Sequence, residues 1–241
     1  MPRKTDKAKT IAFVTYPGLT LLELVGPITA FYGLTMSLVS TSSEYRTVSV
    51  AERAEPIDSD TPMALIPDMA FEDVPDPFAL IVPGGGVNAL KAMGDERLLD
   101  YLRFASYGAE VVASVSTGAF LLAAADLLDG RRATTHPAYG GLLEKMGANY
   151  VRGGWVEDGR FLTAAGASGG IDMALYMVAR LKNEREAKSI QTVIEYDPNP
   201  PFGGLEQDGG ADGTATVPAE QLAELERALA SRPDLYQRLF G

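Results

Sequence analysis

A turn of small residues is the clearest place for covalent chemistry in this 241-residue sequence. Ser116, Thr117 and Gly118 follow the mostly apolar run 110–115 and precede an Ala/Leu-rich segment. A strand, a sharp turn and a helix in this order resemble a nucleophile elbow, which exposes one side chain above the sheet and points free backbone N–H groups at a developing anion. Small residues are common in any tight strand-to-helix turn, so the pattern alone favours an ordinary structural turn.

Three glycines, Gly84, Gly85 and Gly86, end the apolar run 78–82. Glycine lets the backbone approach a ligand closely, but it also simply permits positive φ. No glycine follows at the dinucleotide-binding spacing, and no P-loop Gly-Lys-Ser/Thr is present, so the run is not a nucleotide fingerprint. We expect these glycines to border a small-molecule substrate site and to supply a backbone donor to an oxyanion.

A single acid interrupts the apolar run 21–25. Glu23 in this context is compatible with a solvated surface carboxylate and equally with a buried carboxyl whose pKa is raised. Which of these holds depends on the groups that the side chain faces.

The sequence contains no cysteine and one histidine, His136. Disulfides, thiolate metal sites, a cysteine nucleophile and a His-rich zinc or iron site are therefore excluded, and we expect no metal and no cofactor. Carboxylates and hydroxyls must carry the chemistry. A lone histidine is more often structural than catalytic, and a triad of Ser116, His136 and an acid remains an alternative.

The predicted elements that must position these residues alternate between strands and helices along the chain. This alternation predicts an α/β fold with right-handed βαβ crossovers and a parallel sheet. Because parallel strands end at one edge of a sheet, Glu23, Ser116 and the glycine run should converge there. The predicted strands are 10–15, 45–51, 78–82 and 110–115; the predicted helices are 21–34, with its regular part starting at Gly26-Pro27, then 96–107, and a third ending at Leu128.

The second half contains shorter elements. Strands are expected at 132–135, 150–152 and 160–164, the last two joined by a turn at 157–159. A helix capped by Ser168 and a helix over 184–194 should follow. We expect one α/β domain over 1–202, then a segment 203–241 of the same domain, formed by a flexible acidic loop at 203–216 and a helical extension broken at Pro233.

Charge and hydropathy exclude several classes of partner. Acidic residues outnumber basic ones by 32 to 21, giving a formal net charge of -11, so nucleic acid and anionic membrane surfaces would be repelled. No secretory signal is visible, and no apolar run reaches the ~18 residues of a membrane span. A cytoplasmic protein is the default expectation.

Five ordered motifs are similar to the ThiJ/PfpI superfamily, and within it to the isonitrile (isocyanide) hydratase branch. The last of them, 195–202, separates this branch from the peptidase-like members. The resemblance runs from about Ile11 to Phe202. It implies a flavodoxin-like α/β fold, with a parallel sheet sandwiched by helices, related to that of class I glutamine amidotransferases. The motifs are YPGLTLLELVGP at 16–27, VPGGG at 82–86, STGAFLLAAA at 116–125, LDGRRATTH at 128–136 and EYDPNPPF at 195–202.

The resemblance implies roles for the residues singled out above. Ser116 takes the position of the nucleophile, which is a cysteine in that family, and Glu23 takes that of its acidic partner. Gly85 and Thr117 would supply backbone donors, and Gly84, Gly86 and Gly118 would border the substrate. Peptidase-like members have histidine directly after the nucleophile, where this chain has Thr117. The resemblance also implies a homodimer.

The leading hypothesis is therefore hydration of an isonitrile to an N-substituted formamide. Serine weakens it, because a hydroxyl is a poor nucleophile unless a base takes its proton, whereas a thiol ionises readily. The alternative is a non-catalytic or repurposed small-molecule binding member. A transcriptional regulator is disfavoured, since the chain after Lys182 is acidic, glycine-rich and without a basic recognition helix.

Overall fold

The central element is a seven-stranded sheet that is parallel except at one edge. The computed structural model describes residues 8–35, 44–201 and 217–241. Within them the strands are Lys9–Val14 (β1), Tyr45–Ala51 (β2), Ile57–Asp58 (β3), Ala64–Leu65 (β4), Met69–Ala70 (β5), Ala79–Val82 (β6), Val111–Val115 (β7), Arg132–Ala133 (β8), Asn149–Tyr150 (β9), Trp155–Asp158 (β10) and Phe161–Ala164 (β11). The order in the sheet is β10-β11-β7-β6-β1-β2-β5, and β3-β4 and β8-β9 form separate pairs.

Helices cover the sheet in two layers, as the flavodoxin-like prediction requires. The helices α1, α6 and α7 pack together, while α4 contacts α2, α3 and α5 as well as β6 and β7. The described helices are Leu21–Thr35 (α1), Val87–Ala92 (α2), Glu96–Gly108 (α3), Gly118–Ala124 (α4), Gly140–Lys145 (α5), Ala167–Leu181 (α6), Glu184–Val193 (α7), Ala219–Ala228 (α8) and Pro233–Phe240 (α9).

The central strands explain why their sequences are continuously apolar. Every residue of β6 and β7 is buried, because helices cover both faces of the sheet. The register pairs Val82 with Ser114, so the two strands end nearly level with one another. The turns that follow them, Pro83 to Gly86 and Ser116 to Gly118, therefore leave the sheet at the same edge.

The prediction that the regular part of α1 starts at Gly26-Pro27 is wrong, since the helix runs without a break from Leu21 with Pro27 inside it. Packing overrides the local signal here. A Cβ at Gly26 would lie 3.0 Å from the Ile171 side chain, which shows how closely α1 approaches α6. That contact stabilises a helix that the proline disfavours.

Two further local predictions need correction. The strand 161–164 pairs with 155–158 and not with the predicted partner 150–152. Tyr150 instead belongs to β9, which pairs in parallel with β8. The cap of α6 is Gly166 and not Ser168, which lies in the first helical turn. In both cases neighbouring segments or residues could take the same role, as strand partner or as helix cap. The tertiary contacts decide which one does.

The C-terminal helices pack on the domain. The buried leucines are Leu225 of α8, Leu229 directly after it, and Leu235 and Leu239 of α9. Helix α8 contacts α2, and α9 contacts α5. The predicted loop 203–216 lies outside the described residues. None of the described helices combines the length and the apolar character needed to cross a membrane.

Candidate active site

The backbone at Ser116 makes the sharp turn that the elbow pattern predicts. Its φ is 53°, a left-handed conformation that costs a non-glycine residue about 1–2 kcal/mol and persists only when the surroundings hold it. Two bonds hold it. The Ser116 N–H donates to the Ala164 carbonyl at 2.7 Å, and the Ser116 carbonyl accepts from the Thr135 hydroxyl at 2.9 Å.

Glu23 meets this turn from α1. Its Oε2 accepts a hydrogen bond from the Gly84 N–H at 2.9 Å, and its carboxyl shares a hydrogen bond with the Ser116 side chain. A Cβ at Gly84 would collide with Oε2 and would lie 2.9 Å from the Thr117 nitrogen. Glycine is thus required at this position because the carboxyl occupies the space of a side chain.

The environment of Glu23 sets its proton affinity. Glu23 is 8% exposed, and this burial raises the pKa of its carboxyl from 4.5 to about 7. The Ser116 and Gly84 hydrogen bonds lower the pKa, and the Asp60 charge raises it, but burial is the largest effect. Near neutral pH the carboxyl is present in both protonation states, which suits a group that accepts and returns a proton.

The predicted backbone donors are not equivalent. The Gly85 N–H donates to Thr117 Oγ1 at 3.1 Å, so it is already paired. Across the described residues the Thr117 N–H has no acceptor, so it is available as a donor beside Ser116. Gly118 packs where a Cβ would collide with the Val82 carbonyl, whereas Gly86, at φ 55°, has open space around it.

The loop that follows β1 holds the glycine run in place. The Tyr16 hydroxyl donates to the Pro83 carbonyl at 2.8 Å, and the Thr20 N–H donates to the Gly84 carbonyl at 2.8 Å. The Asn88 amide adds a bond to the Gly18 carbonyl at 3.2 Å. Tyr16, Gly18 and Thr20 belong to the first family motif, but these bonds span more than sixty residues and leave no local pattern.

The lone histidine is arranged unlike the histidine of a catalytic triad. His136 Nδ1 accepts a hydrogen bond from the Ala138 N–H at 3.2 Å, and burial lowers the pKa of the ring. The neutral ring therefore carries its proton on Nε2. A triad needs the reverse, an Nδ1–H directed at an acid and a free Nε2 facing the serine. The geometry disfavours the serine hydrolase alternative.

The described residues contain no cluster of three or more histidine, cysteine, aspartate or glutamate side chains that could hold a metal ion. The groups gathered at the site are instead a hydroxyl, a carboxyl and backbone amides. Together they can place a nucleophile, a proton carrier and an anion donor around one small reacting group.

Comparison with known proteins gives this arrangement a context. A family model described as the DJ-1/PfpI family matches residues 9–180. An isonitrile hydratase from Pseudomonas putida is 39% identical to this chain over 209 residues, which cover 86% of this chain and 85% of that protein. The match therefore extends over both proteins nearly from end to end.

Solved structures agree with this assignment. A THiJ/PfpI family protein from Pseudomonas syringae has a TM-score of 0.78 and 30% sequence identity, and the match covers 98% of this chain and 92% of that one. Drosophila melanogaster DJ-1beta has a TM-score of 0.68 at 19% identity, covering 80% of this chain and 100% of that one, which is a likeness of fold. The chain belongs to the DJ-1/PfpI family.

Proposed function

We propose that this protein is an enzyme of the isonitrile hydratase type, which adds water to the terminal carbon of an isonitrile and yields an N-substituted formamide. The observation that carries the proposal is the buried Glu23 carboxyl, with a pKa of about 7, hydrogen-bonded to the elbow residue Ser116. The identity to the Pseudomonas putida isonitrile hydratase supports the choice of substrate class.

The burial of the site favours a slender reacting group. Ser116 is 4% exposed and Thr117 is 1% exposed, so little room surrounds the nucleophile position. An isonitrile is linear and carries its reactive carbon at the tip, which can reach such a position. A peptide or ester carbonyl has substituents on both sides of the carbon and needs a wider opening.

The proposed reaction conserves the protons of the site. The Ser116 Oγ attacks the isonitrile carbon as the Glu23 carboxylate takes the hydroxyl proton, and the same carboxyl then delivers that proton to the carbon. The product is a formimidate ester, R–N=CH–O–Ser. Water adds to its CH carbon, the C–O bond to Ser116 breaks, the oxygen of Ser116 regains a proton, and R–NH–CHO leaves. In this scheme the Thr117 N–H donates to the oxygen that water brings to the tetrahedral intermediate of the second step.

The serine favours a second candidate function, a small-molecule binding protein that retains the pocket without turnover. A hydroxyl ionises far less readily than a thiol of pKa ~8.5, and a carboxylate is a weak base for it. The same arrangement with a thiol would need less help from Glu23.

Isonitrile hydration by the parent chain and by Ser116→Cys, measured side by side, tests the proposal. We expect turnover to rise in Ser116→Cys and to vanish in Ser116→Ala. Ser231→Cys, which introduces a thiol at an exposed position, is the matched control and should equal the parent. No turnover by either the parent or Ser116→Cys, with both variants folded, would contradict the enzyme and favour the binding protein.

We further propose that the protein forms a homodimer through α1. Of the apolar run near Glu23, Leu19 and Leu24 lie in the core, whereas Leu22 is 62% and Val25 is 46% exposed. Leu22 and Val25 occupy one face of α1 together with the exposed Tyr32. An apolar surface of this kind is what a second copy of the chain covers in a dimer.

Sedimentation equilibrium at micromolar concentration tests the dimer. The parent should have twice the mass of one chain, and Leu22→Glu should shift it toward the monomer. Tyr107→Glu changes a still more exposed residue on α3 and should leave the mass unchanged. A strictly monomeric parent would contradict the proposal.

A further inference from the structure

Thr135 is a buried residue that contacts the backbone of the nucleophile and that the proposed reaction does not use. It belongs to the motif 128–136, and its side chain is fully buried. Its hydroxyl donates to the Ser116 carbonyl at 2.9 Å, across 19 residues of sequence. The other donor to that carbonyl is the Ala119 N–H, at the longer distance of 3.2 Å.

The segment that carries Thr135 is hydrogen-bonded to strand β11. The preceding Thr134 N–H donates to Thr163 Oγ1 of β11 at 2.8 Å, and the next residue of β11, Ala164, accepts from the Ser116 N–H. Strand β11 therefore anchors the amide of Ser116 directly and its carbonyl through Thr135. Both ends of the strained residue are tied to the same strand.

The Ser116 carbonyl and the Thr117 N–H belong to one peptide group. This group is planar and trans, so its oxygen and its amide hydrogen point in opposite directions. A donor that holds the oxygen therefore fixes the direction of the Thr117 N–H, which has no acceptor among the described groups. The same hydrogen bond polarises the peptide and strengthens the N–H as a donor.

We infer that Thr135 is a positioning residue: through the 116–117 peptide it holds Ser116 in its left-handed conformation and directs the Thr117 N–H at the reacting group. This role rests on the proposed function for its effect on turnover. Its effect on the peptide itself is independent of any substrate.

The test uses Thr135→Val in the Ser116→Cys background, since valine has nearly the shape of threonine without the hydroxyl. We expect kcat for isonitrile hydration to fall by about tenfold or more with little change in KM, because removing an oxyanion donor outright costs about 10²–10³. Thr135→Ser restores the hydroxyl and should recover kcat to within about threefold. Thr15→Val is the matched control, since Thr15 donates to the Val50 carbonyl at 2.9 Å in an equally buried position.

Two measurements do not need isonitrile turnover. The amide ¹⁵N resonance of Thr117 should move upfield in Thr135→Val, because its peptide loses the bond that polarises it, and should stay in place in Thr15→Val. Alkylation of the thiol in Ser116→Cys by iodoacetamide should change rate with Thr135→Val and not with Thr15→Val. If Ser116→Cys has no turnover but these two effects appear, the proposed function fails and the positioning role stands. Equal effects of Thr135→Val and Thr15→Val on the Thr117 resonance, alkylation and kcat would overturn the positioning role.

Discussion

The titration of Glu23 should be visible in the stability of the folded protein. Burial holds the pKa of this carboxyl at about 7, against an ordinary value of 4.5. A tenfold change in an acid dissociation constant corresponds to about 1.4 kcal/mol, so ionising Glu23 costs about 3 kcal/mol more in the folded state than in the unfolded chain. The folded state holds the proton more tightly. The contribution of Glu23 to stability is therefore greatest below about pH 4.5 and is lost as the pH rises to about 7.

Glu23→Gln removes this titration and retains an oxygen that can accept from the Gly84 N–H. Relative to the parent, the free energy of unfolding of Glu23→Gln should increase by about 3 kcal/mol between about pH 4 and about pH 8. Urea unfolding at each pH measures it, since the midpoint and slope give the free energy directly.

Glu226→Gln, an exposed position on α8, is the control for loss of one carboxylate. Its difference from the parent should stay within about 0.5 kcal/mol across the same range. If Glu23→Gln and the parent give parallel stability curves from about pH 4 to about pH 8, the carboxyl titrates as a solvated acid and the reasoning from burial is refuted.

Three further outcomes are expected at the site. In the Ser116→Cys background, Glu23→Gln should leave the circular dichroism spectrum unchanged and lower turnover by about 100-fold, the size of a general-acid contribution, and full activity would remove Glu23 from the mechanism. Gly84→Ala should displace the Glu23 carboxyl and lower stability by about 1–3 kcal/mol, as measured by thermal unfolding, whereas Gly141→Ala, where a Cβ meets no atom within 4 Å, should not destabilise. His136→Ala should keep kcat within about threefold of the protein into which it is introduced. A loss of about 10³ or more would support the alternative of a triad with Ser116 and an acid.

Much of the architecture could be predicted because its signals are local. Continuous apolar runs identify strands buried on both faces, and their alternation with helices leads to a parallel sheet whose turns share one edge. Ser116 was recognisable from the residues on either side of it. The fold and the family resemblance needed no more than such patterns and their order along the chain.

The errors arose where neighbouring residues compete for one role. Pro27 signals a helix start, yet α1 continues through it because Gly26 allows close packing on Ile171 of α6. Two segments, 150–152 and 155–158, precede the 161–164 strand and could pair with it, and only the packed sheet selects 155–158. Local propensities differ by about 1 kcal/mol, and tertiary contacts are large enough to reverse them.

The chemistry of the site was decided by the tertiary structure. The sequence alone left Glu23 open between a solvated surface acid and a buried proton carrier, because a pKa depends on the depth of burial and on groups that are distant in sequence. The Gly84 N–H that binds its carboxyl is 61 residues away, and burial among the packed turns raises its pKa to about 7. The bond from Thr135 to Ser116 likewise exists only once β11 places the two segments side by side. Sequence patterns identify the residues available for chemistry, and the packing of segments far apart in sequence determines their protonation and orientation.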